Sequence, residues 1–324
     1  MDIIDNNSFF NLTQNFELVP YTQTKGMYEF HALSGNKRIH FFVNNKQEPT
    51  IAMFGHEKSF GLIKMIQIEG ECYANKRDVN IDNIRSFYSE ISLLGYDIVE
   101  TCSNDKYNFE YETALRQAGY LRPVGQFSMP VTKVIDLTSE ITFTKNWIQN
   151  IKKSSRYELT FEPVTNLQIS DCEDFISIYS EMLQRKSLAI PLSVDQIFAL
   201  CKTGNFYLYF VSFKNVRIAA TIIHERKTHA GSWYAATNNE ALHLSASFFM
   251  YKSLLEYLKD KGFKTFDMEK LVPSTKAINS VFLFKNGING NFIPLNGEWS
   301  WYKKTYYRPI MYFVKKYLMK KREL

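Results

Sequence analysis

The spacing of apolar and polar residues predicts the same order of elements twice along this chain. In the first third, one helix has its apolar residues at helical spacing: Ile81, Ile84, Phe87, Tyr88, Ile91 and Leu94. Gly95 ends this helix, since glycine adopts the left-handed conformation at a helix C-terminus without a Cβ penalty. A short strand, "YDIVE", then leads to a second helix, "FEYETALRQAG", which ends at Gly119.

The last third of the chain repeats this order. The helix "SASFFMYKSLLEYLKDKG" ends at Gly262, the strand "FKTFDME" follows, and the helix "TKAINSVFLFKNG" ends at Gly287. The terminating glycines lie 24 residues apart in the first copy and 25 in the second, so corresponding positions differ by 167 or 168 residues. A matched spacing of this kind indicates a structural duplication.

Predicted strands precede each helix pair. The first half has "GMYEFHALSG", "KRIHFFVNN", "PTIAMFGHE" and "GLIKMIQIEG", and the second half has "NFYLYFVSFKN", "VRIAATIIHERK" and "HAGSWYAATNN". Short polar links between the later strands are typical of antiparallel hairpins. Two further helices come before the second set, and one of them begins with Ser193 and Gln196 at capping-box spacing.

This order predicts an α+β fold (α/β in some schemes), with a mixed, largely antiparallel sheet flanked by helices in each half. A chain of 324 residues is long enough for two cores. We therefore expect an N-terminal domain over residues 1–140 and a C-terminal domain over 141–324. The sequence has no GxGxxG, no GxxxxGK[ST] and no EF-hand loop, so nucleotide-binding folds of those types and EF-hand proteins are excluded.

Charge is concentrated at the end of the chain. The net charge is +6, and the last residues, "YYRPIMYFVKKYLMKKREL", form a predicted basic helix. Ile310, Phe313, Val314, Tyr317 and Leu318 line one side of it, and its other side carries Lys315, Lys316, Lys320, Lys321 and Arg322. This helix either contacts anionic lipid or nucleic-acid phosphate, or docks on its own domain with the cations near its negative end.

The remaining composition predicts a cytoplasmic protein. The N-terminus, "MDIIDNNSFF", is acidic and polar, unlike a signal peptide, and the densest apolar run, "FYLYFVSF", is too short to span a membrane. The four cysteines are scattered without a CxxC pair and are expected to be reduced. The basic terminus leaves open a peripheral position at the inner membrane face.

Three stretches resemble the FemAB family, tandem GNAT-fold aminoacyl- and acyltransferases of bacteria. They are "NWIQNIKKSSRYELTFEP", "LLEYLKDKGFKTFDME" and "VFLFKNGINGNFIPLNGEWSWYKK", and the last contains the family's "FK" motif. The resemblance implies two GNAT-like domains and transfer of an aminoacyl or other acyl group to an amine of a cell-envelope or polysaccharide precursor. It implies no tightly bound cofactor and leaves the donor open between aminoacyl-tRNA and acyl-CoA.

The acyl-CoA alternative, an N-acetyltransferase acting on an amino sugar, departs from one expected motif. Acyl-CoA enzymes of the GNAT fold hold pyrophosphate in a glycine-rich turn before a helix, where backbone N–H groups point at the phosphate. The matching stretch here, "NNEALHLSASFF", has no glycine, although Ser245 and Ser247 are small enough for a phosphate to approach. A third hypothesis is a non-catalytic module that binds carbohydrate or RNA on a decayed transferase scaffold.

Lys285 is the first candidate for catalysis. It corresponds to the lysine of the "FK" motif, and a cation there can stabilise the oxyanion that forms when an amine attacks an ester or thioester. The alternative is a lysine that only interacts with the carbonyl groups at a helix C-terminus. Asp267 and Glu269 are expected on one strand face, where either can accept a proton from the amine or pair with Lys264 or Lys270.

The remaining candidates are substrate-binding residues. Lys152, Lys153 and Arg156 can grip a phosphate of tRNA or of a nucleotide-linked sugar, or simply form a solvated helix face. Aromatic residues able to stack on a sugar or base are Phe284, Trp233, Tyr234, Trp299 and Trp301, with core packing as the alternative. "HERKTH" has the wrong spacing for a zinc site, so its histidines are expected in a hairpin loop and no metal is predicted.

Overall fold

A computed structural model describes residues 1–35, 38–123, 130–188, 190–271 and 280–318, without the side chains of Phe60, Lys316 and Leu318. The chain forms two compact units, one made of Met1–Val131 and Ile293–Leu324 and the other of Thr132–Phe292. Of the helices described, none is long and apolar enough to cross a membrane.

The first unit has the predicted order of strands, helix, strand and helix from β2 onward, and further elements precede it. Its elements, apart from short 3-10 turns at Tyr21–Gln23 and Lys76–Asp78, are β1 (Asp2–Ile4), α1 (Asn6–Thr13), α2 (Lys25–Ala32), β2 (Ile39–Val43), β3 (Ile51–Phe60), β4 (Ile63–Ile68), β5 (Cys72–Tyr73), α3 (Ile81–Ser92), β6 (Ile98–Lys106) and α4 (Phe109–Gln117). Its core lies where α3 and α4 cover one face of the strands, around Phe42, Ile66, Tyr88, Leu115 and Trp299.

The second unit repeats the arrangement. Its elements are β7 (Val131–Asp136), α5 (Lys145–Ser154), β8 (Leu159–Pro163), α6 (Ile169–Lys186), α7 (Val194–Cys201), β9 (Phe206–Phe213), β10 (Val216–Arg226), β11 (His229–Thr237), α8 (Asn239–His243), α9 (Ala246–Asp260), β12 (Thr265–Asp267) and α10 (Ser280–Asn286). Its core packs α5 and α9 on the strands, around Trp147, Ile223, Leu254, Phe266 and Ile288.

The last elements of the chain, β13 (Asn291–Tyr302) and α11 (Tyr307–Phe313), return to the first unit. The strand order there is β1-β2-β3-β4-β6-β13, with β5 on β3, and in the second unit it is β7-β12-β11-β10-β9-β8. All neighbours are antiparallel except β4 with β6 and β11 with β12. One parallel pair at the same place in each unit agrees with the predicted duplication.

The structure groups the chain differently from the predicted domains, 1–140 and 141–324. Trp299 of β13 lies opposite Thr101 of β6, so the last strand of the second copy completes the sheet of the first unit. Val134 of β7 lies opposite Asp267 of β12, so the last strand of the first copy completes the sheet of the second unit. Each copy therefore provides one strand to the sheet of the other unit.

Two local predictions were wrong. The stretch "GMYEFHALSG" forms helix α2, because Met27 and Phe30, three residues apart, are both buried. In α11 the residue buried against the sheet is Met311, while Ile310 and Phe313 are exposed. Lys315, predicted on the side opposite Ile310 and Phe313, is largely buried and pairs with Glu100. Lys320, Lys321 and Arg322 lie outside the described residues.

Candidate active site

A cleft opens in the second unit where two parallel strands separate. β11 and β12 pair through only three positions, from His229–Thr265 to Gly231–Asp267, and β11 continues to Thr237. After Gly231, β11 therefore has no pairing partner in β12 and borders an opening of about 490 Å³. The cleft is lined by β11 residues and by side chains that include Met182, Arg185, Lys186, Leu242, Ser247, Phe248, Tyr251, Val281, Phe284 and Lys285.

Lys285 lies at the C-terminal end of α10 and lines this cleft. Its Nζ donates hydrogen bonds to the backbone oxygens of Glu269 (3.1 Å) and Lys270 (3.2 Å). An ammonium group has three protons to donate, and among the described residues two backbone oxygens accept from it. Burial lowers the pKa of Lys285, and the charges of Glu269 and Asp267 partly oppose this effect.

A turn after β12 brings the two predicted carboxylates close to Lys285. β12 ends at Asp267, and Glu269 has a positive φ of 61°, so strand alternation does not extend to Glu269. The backbone N–H of Glu269 donates to Asp267 Oδ1 at 2.7 Å, and this bond closes the turn. Glu269, the residue in the left-handed conformation, is thus also the residue whose backbone oxygen accepts a hydrogen bond from Lys285.

Asp267 is a carboxyl group that is difficult to ionise. Burial raises the pKa of Asp267 to about 6, and the negative charge of Glu269 adds to the rise. The hydroxyl of Thr132, on β7, donates a hydrogen bond to Asp267 Oδ1, and this bond lowers the pKa of Asp267 in part. A carboxyl whose pKa is close to neutral can accept a proton and release it again during a reaction.

Glu269 has a histidine as its partner. Nε2 of His224, on β10, lies 3.1 Å from Glu269 Oε1. The ring occupies the space above Gly231, where a Cβ atom would lie only 2.3 Å from Nε2. The expected pairing of these carboxylates with Lys264 or Lys270 is not observed among the described contacts, and the expectation of hairpin-loop histidines was wrong, since His224 and His229 lie within strands.

Aromatic residues form much of the cleft wall. Trp147 Nε1 donates to the backbone oxygen of Phe284 at 2.9 Å, and the two rings lie 4.7 Å apart, which fixes α10. Trp233 lies at an irregularity in the pairing of β10 and β11, and it lines the cleft together with Ser247. The ring of Tyr234 packs against Tyr179 of α6.

Other predicted substrate-binding residues do not line the cleft. Lys152, Lys153 and Arg156 are exposed at the end of α5 and in the turn after it. Ser245 is buried, and its hydroxyl donates to Asn150 Oδ1 at 3.1 Å. Cations that do line the cleft, and that were missed, come from α6: Arg185 and Lys186. Their place in the last turn of a helix was the available signal.

The position of the phosphate-binding turn is filled by a helix. α8 and α9 follow one another through Ser245, which has a positive φ of 56°. At the start of α8, Asn238 Oδ1 accepts the N–H of Ala241 and the Glu181 carboxylate accepts the N–H of Asn239, at 2.9 and 2.7 Å. These two N–H groups are thus already hydrogen-bonded, and one of their acceptors is a negatively charged side chain.

The first unit contains a reduced counterpart of this site. Glu100 is the fifth residue after Gly95, as Asp267 is after Gly262. The residue that corresponds to Lys285 is Gln117, which carries no charge. The cation that pairs with Glu100 is instead Lys315, which follows α11. These two charged side chains line a cavity of about 160 Å³, about a third of the cleft volume. The larger cleft of the second unit is therefore the candidate active site.

Comparisons with solved structures agree with this arrangement. FemX superposes with a TM-score of 0.71 at 10% identity, covering 96% of this chain and all of FemX. L-PGS from Bacillus licheniformis gives 0.66 at 14% identity, covering 99% of both chains. A tandem GNAT protein from the clavulanic acid biosynthesis pathway gives 0.50 at 8%, covering 91% of this chain and 93% of its own.

The chain has a FemAB-like, tandem GNAT fold. This confirms the fold class and, at the level of the fold, the resemblance found in the sequence. No protein-family model matches the chain, and neither does any curated protein sequence. At identities of 10–14%, the FemAB-like likeness describes the backbone, and the chemistry has to be argued from the cleft residues.

Proposed function

We propose that this protein is an acyltransferase that moves an aminoacyl group from aminoacyl-tRNA to an amine. The acceptor is an amine of a cell-envelope or polysaccharide precursor, a class that rests on the sequence resemblance alone. The observation that carries the proposal is Lys285, a largely buried ammonium group that lines the open cleft of a GNAT-fold unit. FemX and L-PGS, which share the fold, support a transferase.

The reaction would proceed by direct attack of the acceptor amine on the ester carbonyl. The carbonyl oxygen gains negative charge as the carbon–nitrogen bond forms, and the ammonium group of Lys285 stabilises that charge. The ester bond then breaks, and the ribose oxygen leaves as a hydroxyl with the proton that Asp267 has taken from the amine and passes on. Asp267 accepts the proton that the amine loses, either directly or through one water, because its pKa of about 6 suits this transfer. Binding both substrates in one cleft supplies the rest of the acceleration.

The start of α8 favours aminoacyl-tRNA over acyl-CoA. A pyrophosphate would have to displace the Glu181 carboxylate from the N–H of Asn239. The terminal phosphodiester of a tRNA does not need a helix N-terminus, since Arg185 and Lys186 already give the cleft two cations. Both donors are found in the cytoplasm, so the proposed reaction takes place there.

The experiment is a transfer assay with two labelled donors. The full chain is incubated with radiolabelled aminoacyl-tRNA or radiolabelled acetyl-CoA and a panel of amines that includes an amino sugar nucleotide and a lysine-containing peptide. We expect label to move from aminoacyl-tRNA, and the melting temperature to rise with this donor. Transfer from acetyl-CoA alone would support an N-acetyltransferase acting on an amino sugar. No transfer from either donor would favour the non-catalytic binding module and overturn the proposal.

A further inference from the structure

The outer face of α11 and the turn after it carries a stripe of exposed apolar side chains. Tyr306, Ile310, Phe313 and Tyr317 are 55%, 41%, 54% and 56% exposed. They follow one another at intervals of four, three and four residues, which places them on one side of a helix. The rings of Phe313 and Tyr317 lie 4.8 Å apart, so the stripe is continuous at its C-terminal end.

This stripe faces away from the first unit. The opposite side of the same segment holds it to the sheet, through Met311 packed near Met65 and Ile98 and through the ion pair of Lys315 with Glu100. The Tyr307 hydroxyl also donates to Asp97, at 3.3 Å. A helix with an anchored face and an apolar outer face is unusual on a monomer surface, where exposed apolar residues are mostly scattered singly.

Exposed cations lie at the N-terminal end of the stripe. Lys303, Lys304 and Arg308 are exposed at the start of α11. The sequence continues beyond the described residues with Lys320, Lys321 and Arg322. Aromatic and aliphatic side chains flanked by lysine and arginine match the boundary between the headgroups and acyl chains of an anionic bilayer, where the rings enter and the cations meet lipid phosphate.

We propose that this surface, the α11 stripe with Lys303 and Lys304, binds anionic phospholipid membranes. A second copy of the chain fits it less well, because a two-fold contact would bring the same cations together. Four half-exposed side chains are also far fewer than the roughly 20 residues that each partner contributes to a stable protein interface. Shallow insertion into a bilayer needs only a few such side chains. The inference does not depend on the reaction in the cleft.

The test is co-sedimentation of the full chain with vesicles of phosphatidylcholine alone or mixed with phosphatidylglycerol. We expect binding to the mixed vesicles that weakens with salt, and little binding to phosphatidylcholine. Ile310→Ser/Phe313→Ser should reduce the partition at least about tenfold. The matched control, Leu62→Ser/Leu93→Ser, removes two exposed leucines elsewhere on the first unit and should bind as the parent does.

Charge is tested separately. Lys303→Gln/Lys304→Gln should weaken binding to anionic vesicles about 25-fold, at about fivefold per cation, whereas Lys25→Gln/Lys46→Gln should leave it unchanged. Circular dichroism and melting temperature show whether each variant is folded. Failure of the parent to bind, equal binding to both vesicle types, or parent-like binding by the stripe variants overturns the proposal. A dimer that Phe313→Ser dissociates, without vesicle binding, assigns the stripe to a second copy instead.

Discussion

Replacing Glu71 by glutamine should remove a strong pH dependence of stability from the first unit. Glu71 is fully buried, and its Oε1 accepts hydrogen bonds from the hydroxyls of Tyr88 and Tyr111. No described residue bonds its Oε2. Burial raises the pKa of Glu71 from 4.5 to about 8, and Asp105 adds to the rise, so the folded protein holds this carboxyl protonated at neutral pH.

The sign and size of the effect follow from the two pKa values. The folded-state pKa lies above the unfolded-state value, so the stabilising contribution is fully present below about pH 4.5 and is lost as the pH rises to about 8. Within this window the parent loses about 1.4 kcal/mol per pH unit from this one group, or about 5 kcal/mol in all. The glutamine side chain has no proton to lose, so the Glu71→Gln variant should lack this slope and be more stable than the parent near pH 8.

Hydrogen exchange of the β4 and β6 amides measures the opening free energy of this unit at several pH values. Other carboxyl groups contribute equally to parent and variant, so the difference between the two slopes isolates Glu71. Glu48→Gln, at an exposed glutamate, is the control and should keep the parent slope. If the opening free energies of the parent and of Glu71→Gln change with pH at the same slope, the reasoning is refuted. Infrared spectra at neutral pH that show the same protonated carboxyl bands for parent and variant would refute it too.

Three further predictions concern the second unit. The rate of transfer should rise with pH through about 6, because Asp267 ionises there and can then accept a proton. At high pH the rate should fall as Lys285 loses its charge, at a pH below the usual pKa of a lysine because the pKa of Lys285 is lowered. Asp267→Asn should abolish the rise of the rate through pH 6. Gly231→Ala should displace His224 and lower transfer at least about tenfold with little change in donor affinity, as measured by kcat and KM separately. Gly287→Ala should lower the melting temperature, because its Cβ would lie 1.9 Å from Trp147; an unchanged melting temperature would contradict this packing.

Local patterns predicted most helices and strands and the duplication. The apolar spacing of residues 81–94 agrees with α3, and the capping box of Ser193 with Gln196 is present at the start of α7. The short helix α2 was missed because eight residues with two buried apolar positions also fit a strand. In such short segments, tertiary packing decides between the two structures.

The exchange of edge strands could not be predicted from either copy. The composition of β7 and β13 predicts strands but does not tell which sheet each strand joins. That choice depends on pairing with residues more than 100 positions away in the sequence. For this reason the two compact units differ from the predicted domains, 1–140 and 141–324. Lys315 was misplaced by the same limitation, since nothing local predicts its ion pair with Glu100.

The candidate site was predicted in part. Lys285 and Asp267 were chosen from a motif and a strand end. In the structure Lys285 lines the cleft with Phe284, Trp233 and Ser247, and Asp267 lies close enough for its charge to affect the pKa of Lys285. The left-handed turn at Glu269 and its contact with His224 join residues 45 positions apart, so no spacing rule finds them. Whether these residues act as proposed stays a prediction.

The rate of a single turnover with Lys285→Met tests the central claim most directly. The measurement follows label from bound aminoacyl-tRNA to the acceptor amine, with Lys264→Met, at an exposed lysine just before β12, as the matched control. If Lys285 stabilises the oxyanion, its variant should bind the donor as the parent does and transfer roughly 100- to 1,000-fold more slowly, while the control keeps the parent rate. A parent-like rate for Lys285→Met would contradict the account.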